Sequence, residues 1–325
     1  MLAARRRRLK IAIAALILVP IVLMAGAFAF ASVKFSQIPR AQVSKAFTPA
    51  IAGTNYLIVG TDSRAGIKAS DPNAGAFLGP GDAGSRTDTI MVLHIENGRQ
   101  SLLSIPRDLW VKDPSTGKMG RINSTFTAGP ANLIKAVEAL GIPIQHYAEI
   151  NFVSFGKLVD SAGGIDVNFA FPSRDTNSGL NIATAGRNHL NGTAALAYVR
   201  SRHFEELKNG KWVADPRSDL GRIDRQRQFL AALTNKVSNT VNPLALANVA
   251  DATSAGFKID NALGLLDALK LGWSMRSFHP ASASLPVTAR TTSGGADVLD
   301  LKQPDAKALI DQFNHGSLPS QQTPS

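Results

Sequence analysis

The chain has 325 residues, a net charge of +11 and no cysteine, so no disulfide framework supports it and its stability must come from packing. Aromatic residues make up 6% of it, too few to interleave with basic residues as a nucleic-acid-binding surface requires. Five of the positive charges lie in the first ten residues, which leaves a moderately basic +6 on residues 11–325.

Those five, Arg5, Arg6, Arg7, Arg8 and Lys10, precede an uncharged, mostly aliphatic run from Ile11 to Ser32. A helix of about 20 apolar residues spans the ~30 Å hydrocarbon core of a bilayer. Only Lys34 and Arg40 follow closely, so the positive-inside rule puts residues 1–10 in the cytoplasm, a transmembrane helix at 11–32, and the rest outside the cell membrane. A cleaved signal peptide is the rival reading, with small residues at Ala25-Gly26-Ala27, but its apolar core would be ~7–15 residues long. Length favours a retained anchor.

Residues 33–52, with Pro39 and Pro49 and no sustained period, read as a spacer. A buried strand is expected at Tyr56–Gly60, followed by a long Gly/Ala/Pro/Asp-rich loop at 65–85. Thr89–Ile95 and Ser101–Ile105 form a predicted hairpin about Asn97-Gly98. Helix and strand patterns then alternate: helix at 130–140, strand at 147–152, helix at 154–161, strand at 165–171, helices at 191–200 and 219–236. Further helices are expected at 243–253, 260–271 and 304–314, with strands near 283–287 and 297–301 and a disordered tail at 316–325. This is an α/β layout, with about 290 residues available as one large domain or two small ones.

Five charged clusters fall at element ends, where α/β folds place their sites: Asp62-Ser63-Arg64, Arg86-Thr87-Asp88, Pro106-Arg107-Asp108, Arg200-Ser201-Arg202, and Asp219 with Arg222, Asp224, Arg225 and Gln226. Asp219, Arg222 and Gln226 recur at i, i+3 and i+7 and share one helical face, from which Arg225 and Arg227 fall away. Arginines that converge from separate elements repel one another unless an anion lies between them, and guanidinium groups match phosphate oxygens in pairs. Asp62 and Asp88 suit a hard divalent ion such as magnesium, with manganese as a substitute; alternatively they pair with their neighbours Arg64 and Arg86. Together the clusters describe a phosphoryl-transfer site without a covalent nucleophile.

The runs GTDSR at 60–64, SRTDTIMVLHI at 85–95, LLSIPRDLWV at 102–111, GRINSTF at 120–126, DSAGGIDVNF at 160–169, LNGTAALAYVRSRH at 190–203 and DLGRIDRQRQF at 219–229 together resemble the LytR-CpsA-Psr family of cell-envelope enzymes. The resemblance implies one catalytic domain at 53–315, an α-β-α sandwich with a central mixed β-sheet and an apolar tunnel for a lipid tail. It implies a magnesium-dependent phosphotransferase that moves a glycan phosphate, of teichoic acid, capsule or arabinogalactan type, from a polyprenyl pyrophosphate carrier onto peptidoglycan, with pyrophosphatase side activity. Matched by motif, Asp62 and Asp88 correspond to the magnesium-associated acids, and Arg107, Arg200, Arg202, Arg222 and Gln226 to the pyrophosphate grip. Arg64, Arg86, Arg121, Asn123 and Asp219 correspond to supporting members, Arg86 standing with Arg107 beside the acids. Two departures from the family pattern are the long 65–85 loop and an extension at 204–218, with a small hairpin at Asn209-Gly210.

His94, His146 and His189 have no zinc-ligand spacing and read as structural, and Ser63 and Ser85 lack the Gly-x-Ser-x-Gly setting of a hydrolase. Gly163-Gly164 reads as a helix stop, and the apolar stripes over 243–271 as core or tunnel wall. The competing function is a non-catalytic binder of polyprenyl phosphates, a regulator or assembly factor that uses the same arginines.

Overall fold

The computed structural model describes residues 26, 28–50, 52–61, 87–216, 219–238, 256–275, 278 and 280–318. The predicted basic tail, most of the predicted span, nearly all of the tail at 316–325, the loop at 65–85 and the helix expected at 243–253 lie outside them. Among the described residues no helix is long and apolar enough to cross a membrane. Residues 28–36 are helical, and Phe28, Phe30 and Val33 are exposed there.

The first strands are β1 (Arg40–Ala41), β2 (Thr54–Thr61), β3 (Thr87–Glu96), β4 (Arg99–Ser104), β5 (Trp110–Lys112) and β6 (Met119–Arg121). Next come β7 (His146–Asn151), β8 (Ile165–Phe169), β9 (Ser173–Asp175), β10 (Leu180–Ile182), β11 (Gly186–Leu190), β12 (Glu205–Lys208) and β13 (Lys211–Ala214). The last are β14 (Phe257–Asp260), β15 (Ala281–Ser284), β16 (Val287–Thr291) and β17 (Asp297–Leu301). The principal helices after residue 36 are α1 (Pro130–Glu138), α2 (Phe152–Ser161), α3 (Gly192–Arg200), α4 (Asp219–Ser238), α5 (Leu265–Ser274) and α6 (Asp305–Asn314).

A seven-stranded mixed sheet in the order β1-β14-β7-β2-β3-β4-β15 forms the centre. β2 pairs antiparallel with β3 and parallel with β7. Side-chain alternation buries both faces: Leu57, Val59, Ile90, Val92 and Leu103 join α1 and Ile310 and Phe313 of α6 in one core, while Met91, Leu93 and Leu102 cluster with Phe278 on the other face. A further core joins α2, α3 and α4 to β8. The layers are those of an α/β fold with helices on both faces of a mixed sheet.

The hairpins form as predicted, with the two-residue turns Asn97-Gly98 (φ 49° and 78°) and Asn209-Gly210 (φ 51° and 75°) in the left-handed region. Gly163 and Gly164, at φ 76° and 72°, follow the end of α2. His94, His146 and His189 bond Asn55, Asp260 and Asp166 respectively.

Three expectations are corrected. The segment expected as a spacer is partly built into the fold: β1 pairs parallel with β14, Ala41, Val43 and Ala46 are buried, and the Asn261 side-chain oxygen accepts the N–H groups of Val43 and Ser44 at 3.0 Å. The helix expected from 260 starts at Leu265, because the Asp260 carboxylate turns the chain after β14 by accepting the N–H groups of Ala262 and Leu263 at 2.8 and 2.7 Å. The strand expected near 283–287 is split between β15 and β16, with Pro286, which has no N–H for a ladder, in the break.

Candidate active site

Asp88 owes its position to an irregularity in the sheet. Gly60 pairs with Thr89 and Thr61 with Thr87, so Asp88 is the extra residue of a β-bulge near the start of β3. In an unbroken strand Asp88 and Thr89 would face opposite ways; the bulge lets both reach the wall of one cavity of about 240 Å³.

Arg107 enters that cavity from the turn after β4 and pairs with Asp88. The turn is held by backbone bonds: Leu109 N–H donates to Pro106 O at 3.1 Å, and Asn123 N–H donates to Arg107 O at 3.1 Å. Arg200, the last residue of α3, stacks its guanidinium 4.6 Å over Phe152, the first residue of α2. Arg222 and Gln226 reach the cavity from successive turns of α4, the former only 5% exposed. Gln226 donates through Nε2 to Thr89 Oγ1 at 2.9 Å, which ties helix to bulge.

Arg202 and His203 lie just past α3, on a segment organised by Asp175 of β9. The Asp175 carboxylate, 1% exposed, accepts Ser201 Oγ–H at 2.6 Å and the N–H groups of Arg202 and His203 at 2.9 and 2.8 Å. It also accepts the N–H groups of Asn177 and Ser178. Burial pushes its acidity the other way, but these hydrogen bonds outweigh it and hold the carboxyl below its ordinary range. Arg225 braces the same segment from beneath. It donates to Ser201 O at 2.7 Å, pairs with Asp215 at 3.2 Å and stacks on Phe204, so its place off the Asp219-Arg222-Gln226 face is structural.

Among the described residues the cavity gathers four guanidinium groups, Arg107, Arg200, Arg202 and Arg222, with two carboxylates, Asp88 and Asp175. Guanidinium donors brought together from separate elements match phosphate oxygens. A second, apolar cavity of about 270 Å³ shares Thr89, Phe152, Val199 and Gln226 with it and is walled by Ile58, Met91, Phe155, Leu230 and Leu233. Of the apolar stripes over 243–271, the described residues contribute only Phe257 to that wall.

Asp88, Arg107, Arg200, Arg202, Arg222 and Gln226 are thus brought together. Arg121 and Asn123 are not: Arg121 donates to Asp297 O at 2.8 Å and pairs with Asp108 at 3.4 Å, while Asn123 supports Arg107 through its backbone. Asp219 opens α4, and Asp62, Arg64 and Arg86 lie outside the described residues. Thr61, which Asp62 follows, pairs with Thr87, which Asp88 follows. Asp175, Asn177, His203, Phe152 and Thr89 were not singled out in the sequence. Thr89 and His203 carried a signal, inside the runs SRTDTIMVLHI at 85–95 and LNGTAALAYVRSRH at 190–203.

Magnesium suits the donor chemistry. Among the described residues no three acidic or histidine groups gather to hold a metal by themselves, but Asp88 offers a hard oxygen at the cavity, and phosphate oxygens commonly complete a magnesium shell.

The model of the LytR_cpsA_psr family matches residues 30–315. The chain is 42% identical over 201 residues to the probable cell wall biosynthesis protein LcpB of Corynebacterium glutamicum, covering 61% of this chain and 44% of the relative. It is 35% identical over 188 residues to the polyisoprenyl-teichoic acid–peptidoglycan teichoic acid transferase TagU of Bacillus subtilis, covering 55% of this chain and 56% of that one. The chain spans about half the length of these curated relatives. Among solved structures, a LytR-Csp2A-Psr enzyme from Actinomyces oris superposes with a TM-score of 0.65 at 26% identity, over 85% of this chain and 96% of the other.

Proposed function

The chain belongs to the LytR-CpsA-Psr family, and on that premise we propose that it is a membrane-anchored, extracytoplasmic phosphotransferase that moves a glycan phosphate from a polyprenyl pyrophosphate carrier onto peptidoglycan. The observation that carries this reading is the junction of the two cavities. An arginine-lined site for a pyrophosphate shares Thr89 and Gln226 with an apolar chamber for the lipid to which that pyrophosphate is attached.

In this reading Arg107, Arg200, Arg202 and Arg222 grip the pyrophosphate and spread the charge that develops on the transferred phosphoryl group. Gln226 and Thr89 stand where headgroup gives way to lipid. Asp88, held by Arg107, accepts the hydrogen bond of the attacking hydroxyl and aligns it with the sugar-side phosphorus. The bond from that phosphorus to the bridging oxygen breaks, a phosphodiester to the wall forms, the hydroxyl proton passes to the Asp88 carboxylate, and polyprenyl phosphate leaves. Magnesium bound by Asp88, and by Asp62 as the resemblance implies, would neutralise further charge on the pyrophosphate. Water in place of the peptidoglycan hydroxyl gives the pyrophosphatase side reaction.

The test is the full chain in vesicles with a polyprenyl-pyrophosphate-linked glycan, peptidoglycan fragments and magnesium. Arg107→Ala and Asp88→Asn are expected to lower transfer by at least ~100-fold, the scale on which removing one group that stabilises developing charge acts. Donor binding without turnover by the unaltered chain would favour the non-catalytic binder instead, and full turnover by Asp88→Asn would remove Asp88 from the chemistry.

A further inference from the structure

The cationic cavity borders two others. It shares Thr89, Phe152, Val199 and Gln226 with the apolar chamber, and Arg202 and His203 with a third cavity of about 520 Å³. Among the described residues the chamber and this third cavity have no lining residue in common. The third cavity lies between Asp108 and the β16–β17 hairpin, whose register pairs Ala289 with Leu299 and Thr291 with Asp297. Those four alternate along their strands and so share one face. Arg290 falls on the other face, where it pairs with Asp300 at 3.1 Å. The hairpin is separate from the central sheet and docks on the turn that carries Arg107. Leu299 N–H donates to Asp108 O at 3.0 Å, and Arg121 donates to Asp297 O at 2.8 Å. Arg107 joins the two sites directly, since its Nη1 pairs with Asp88 while its Nε lies 3.5 Å from the Asp108 carboxylate. At the shared wall the His203 ring is oriented by Asn177 Nδ2, 2.9 Å from its Nδ1.

The geometry of displacement decides what each neighbour serves. Attacking and leaving oxygens lie roughly in line across the transferred phosphorus. With the lipid in the apolar chamber, polyprenyl phosphate departs past Thr89 and Gln226, so the attacking hydroxyl enters from the side where Arg202 and His203 stand. We infer that the cavity between Asp108 and the β16–β17 hairpin is the acceptor subsite, and that it seats the peptidoglycan sugar whose hydroxyl attacks. Its lining suits an uncharged saccharide. The Asp108 and Asp297 carboxylates accept from sugar hydroxyl and acetamido N–H groups, Thr291 adds a hydroxyl, and Ala289 and Leu299 offer apolar surface to the C–H face of a ring. A phosphate-bearing donor glycan would instead meet the two carboxylates, which repel it. The inference rests on the proposed transfer and deepens it by giving the acceptor a place.

The test uses the full chain in vesicles, a polyprenyl-pyrophosphate-linked glycan as donor and a soluble disaccharide-peptide fragment of peptidoglycan as acceptor. Ala289→Trp fills the cavity and Asp297→Asn removes a charge while keeping its shape; both residues are exposed and outside the pyrophosphate site, so the fold is kept. Ala289→Trp is expected to raise the KM for the fragment by ~10-fold or more, and Asp297→Asn to raise it by about 3-fold or more. Hydrolysis of the donor without acceptor should be unchanged in both kcat and KM. An unaltered KM for the fragment would overturn the inference. So would a raised donor KM in hydrolysis, which would give the cavity to the donor glycan. In a second measurement, saturation-transfer NMR without donor is expected to show the fragment bound to the unaltered chain and bound ~10-fold more weakly to Ala289→Trp. Equal binding by the two, or none by either, overturns the inference as well. Binding needs no turnover, so a chain without transferase activity can still show the fragment in this cavity, and an active one can show it elsewhere.

Discussion

Asp175 is buried to 1% exposure with a charge that only hydrogen bonds compensate, and those bonds shape the segment that carries Arg202 and His203. Asp175→Asn turns one oxygen into an NH2 group facing other donors, which is expected to cost roughly 3 kcal/mol at pH 7. Because the native carboxyl is held below its ordinary value of 3.8, its contribution is complete above that pH and is lost as pH falls from there through the native value. Urea unfolding should therefore show a full gap between the two proteins at pH 7 and a narrower one below pH 3.8; a gap independent of pH would contradict this role. The residue had no legible signal. It sits in the run SRDTNSG at 173–179, whose composition reads as a turn, and the partners through which it shapes the Arg202–His203 segment are more than twenty residues away. The arginines were legible because α4 repeats Arg222 and Gln226 one turn apart and because Arg200 and Arg202 flank one residue, and the family resemblance matched them, with Arg107, to one pyrophosphate grip.

At the scale of elements, long periodic segments were legible and short ones were not. The β2, β3 and β4 strands and helices α1, α3 and α4 have enough residues to show their period, whereas three-residue strands such as β9 and β10 are too short to show one, and β9 is fixed by pairing with the later strand β12. The β-bulge at Asp88 is a matter of register between β2 and β3, which no period within either strand reveals. The approach of α3 to α2 was equally hidden. A Cβ at Gly192 would lie 2.2 Å from Gly156 O and 2.8 Å from the Asp160 carboxylate, so Gly192→Ala must push the two helices apart. A loss of roughly 2 kcal/mol is expected in denaturant unfolding, together with weaker donor binding, since α3 ends in Arg200 and α2 begins with its stacking partner Phe152. Unchanged stability would mean that the contact is looser than the structure shows.

For the whole molecule, the amino-terminal segment, proposed here as a tether, is also part of the core. Sequence suggested the tether, because an uncharged run behind five basic residues is a local signal. It missed the parallel pairing of β1 with β14, because a two-residue strand has no period. Removing residues 1–36 should leave the denaturation midpoint unchanged. Removing residues 1–46 takes away buried Ala41, Val43 and Ala46 and should cost roughly 3 kcal/mol; equal midpoints for the two truncations would contradict the built-in role. The molecule as a whole places a cationic cavity at the mouth of an apolar one, and the central claim is that a lipid pyrophosphate is divided there. The most direct measurement is the fate of phosphorus from a lipid-linked donor labelled equally at both phosphates and supplied to the full chain in vesicles with peptidoglycan. The account predicts that one label appears in a wall phosphodiester and an equal amount in polyprenyl phosphate. Both labels remaining together, on lipid or on wall, would contradict it.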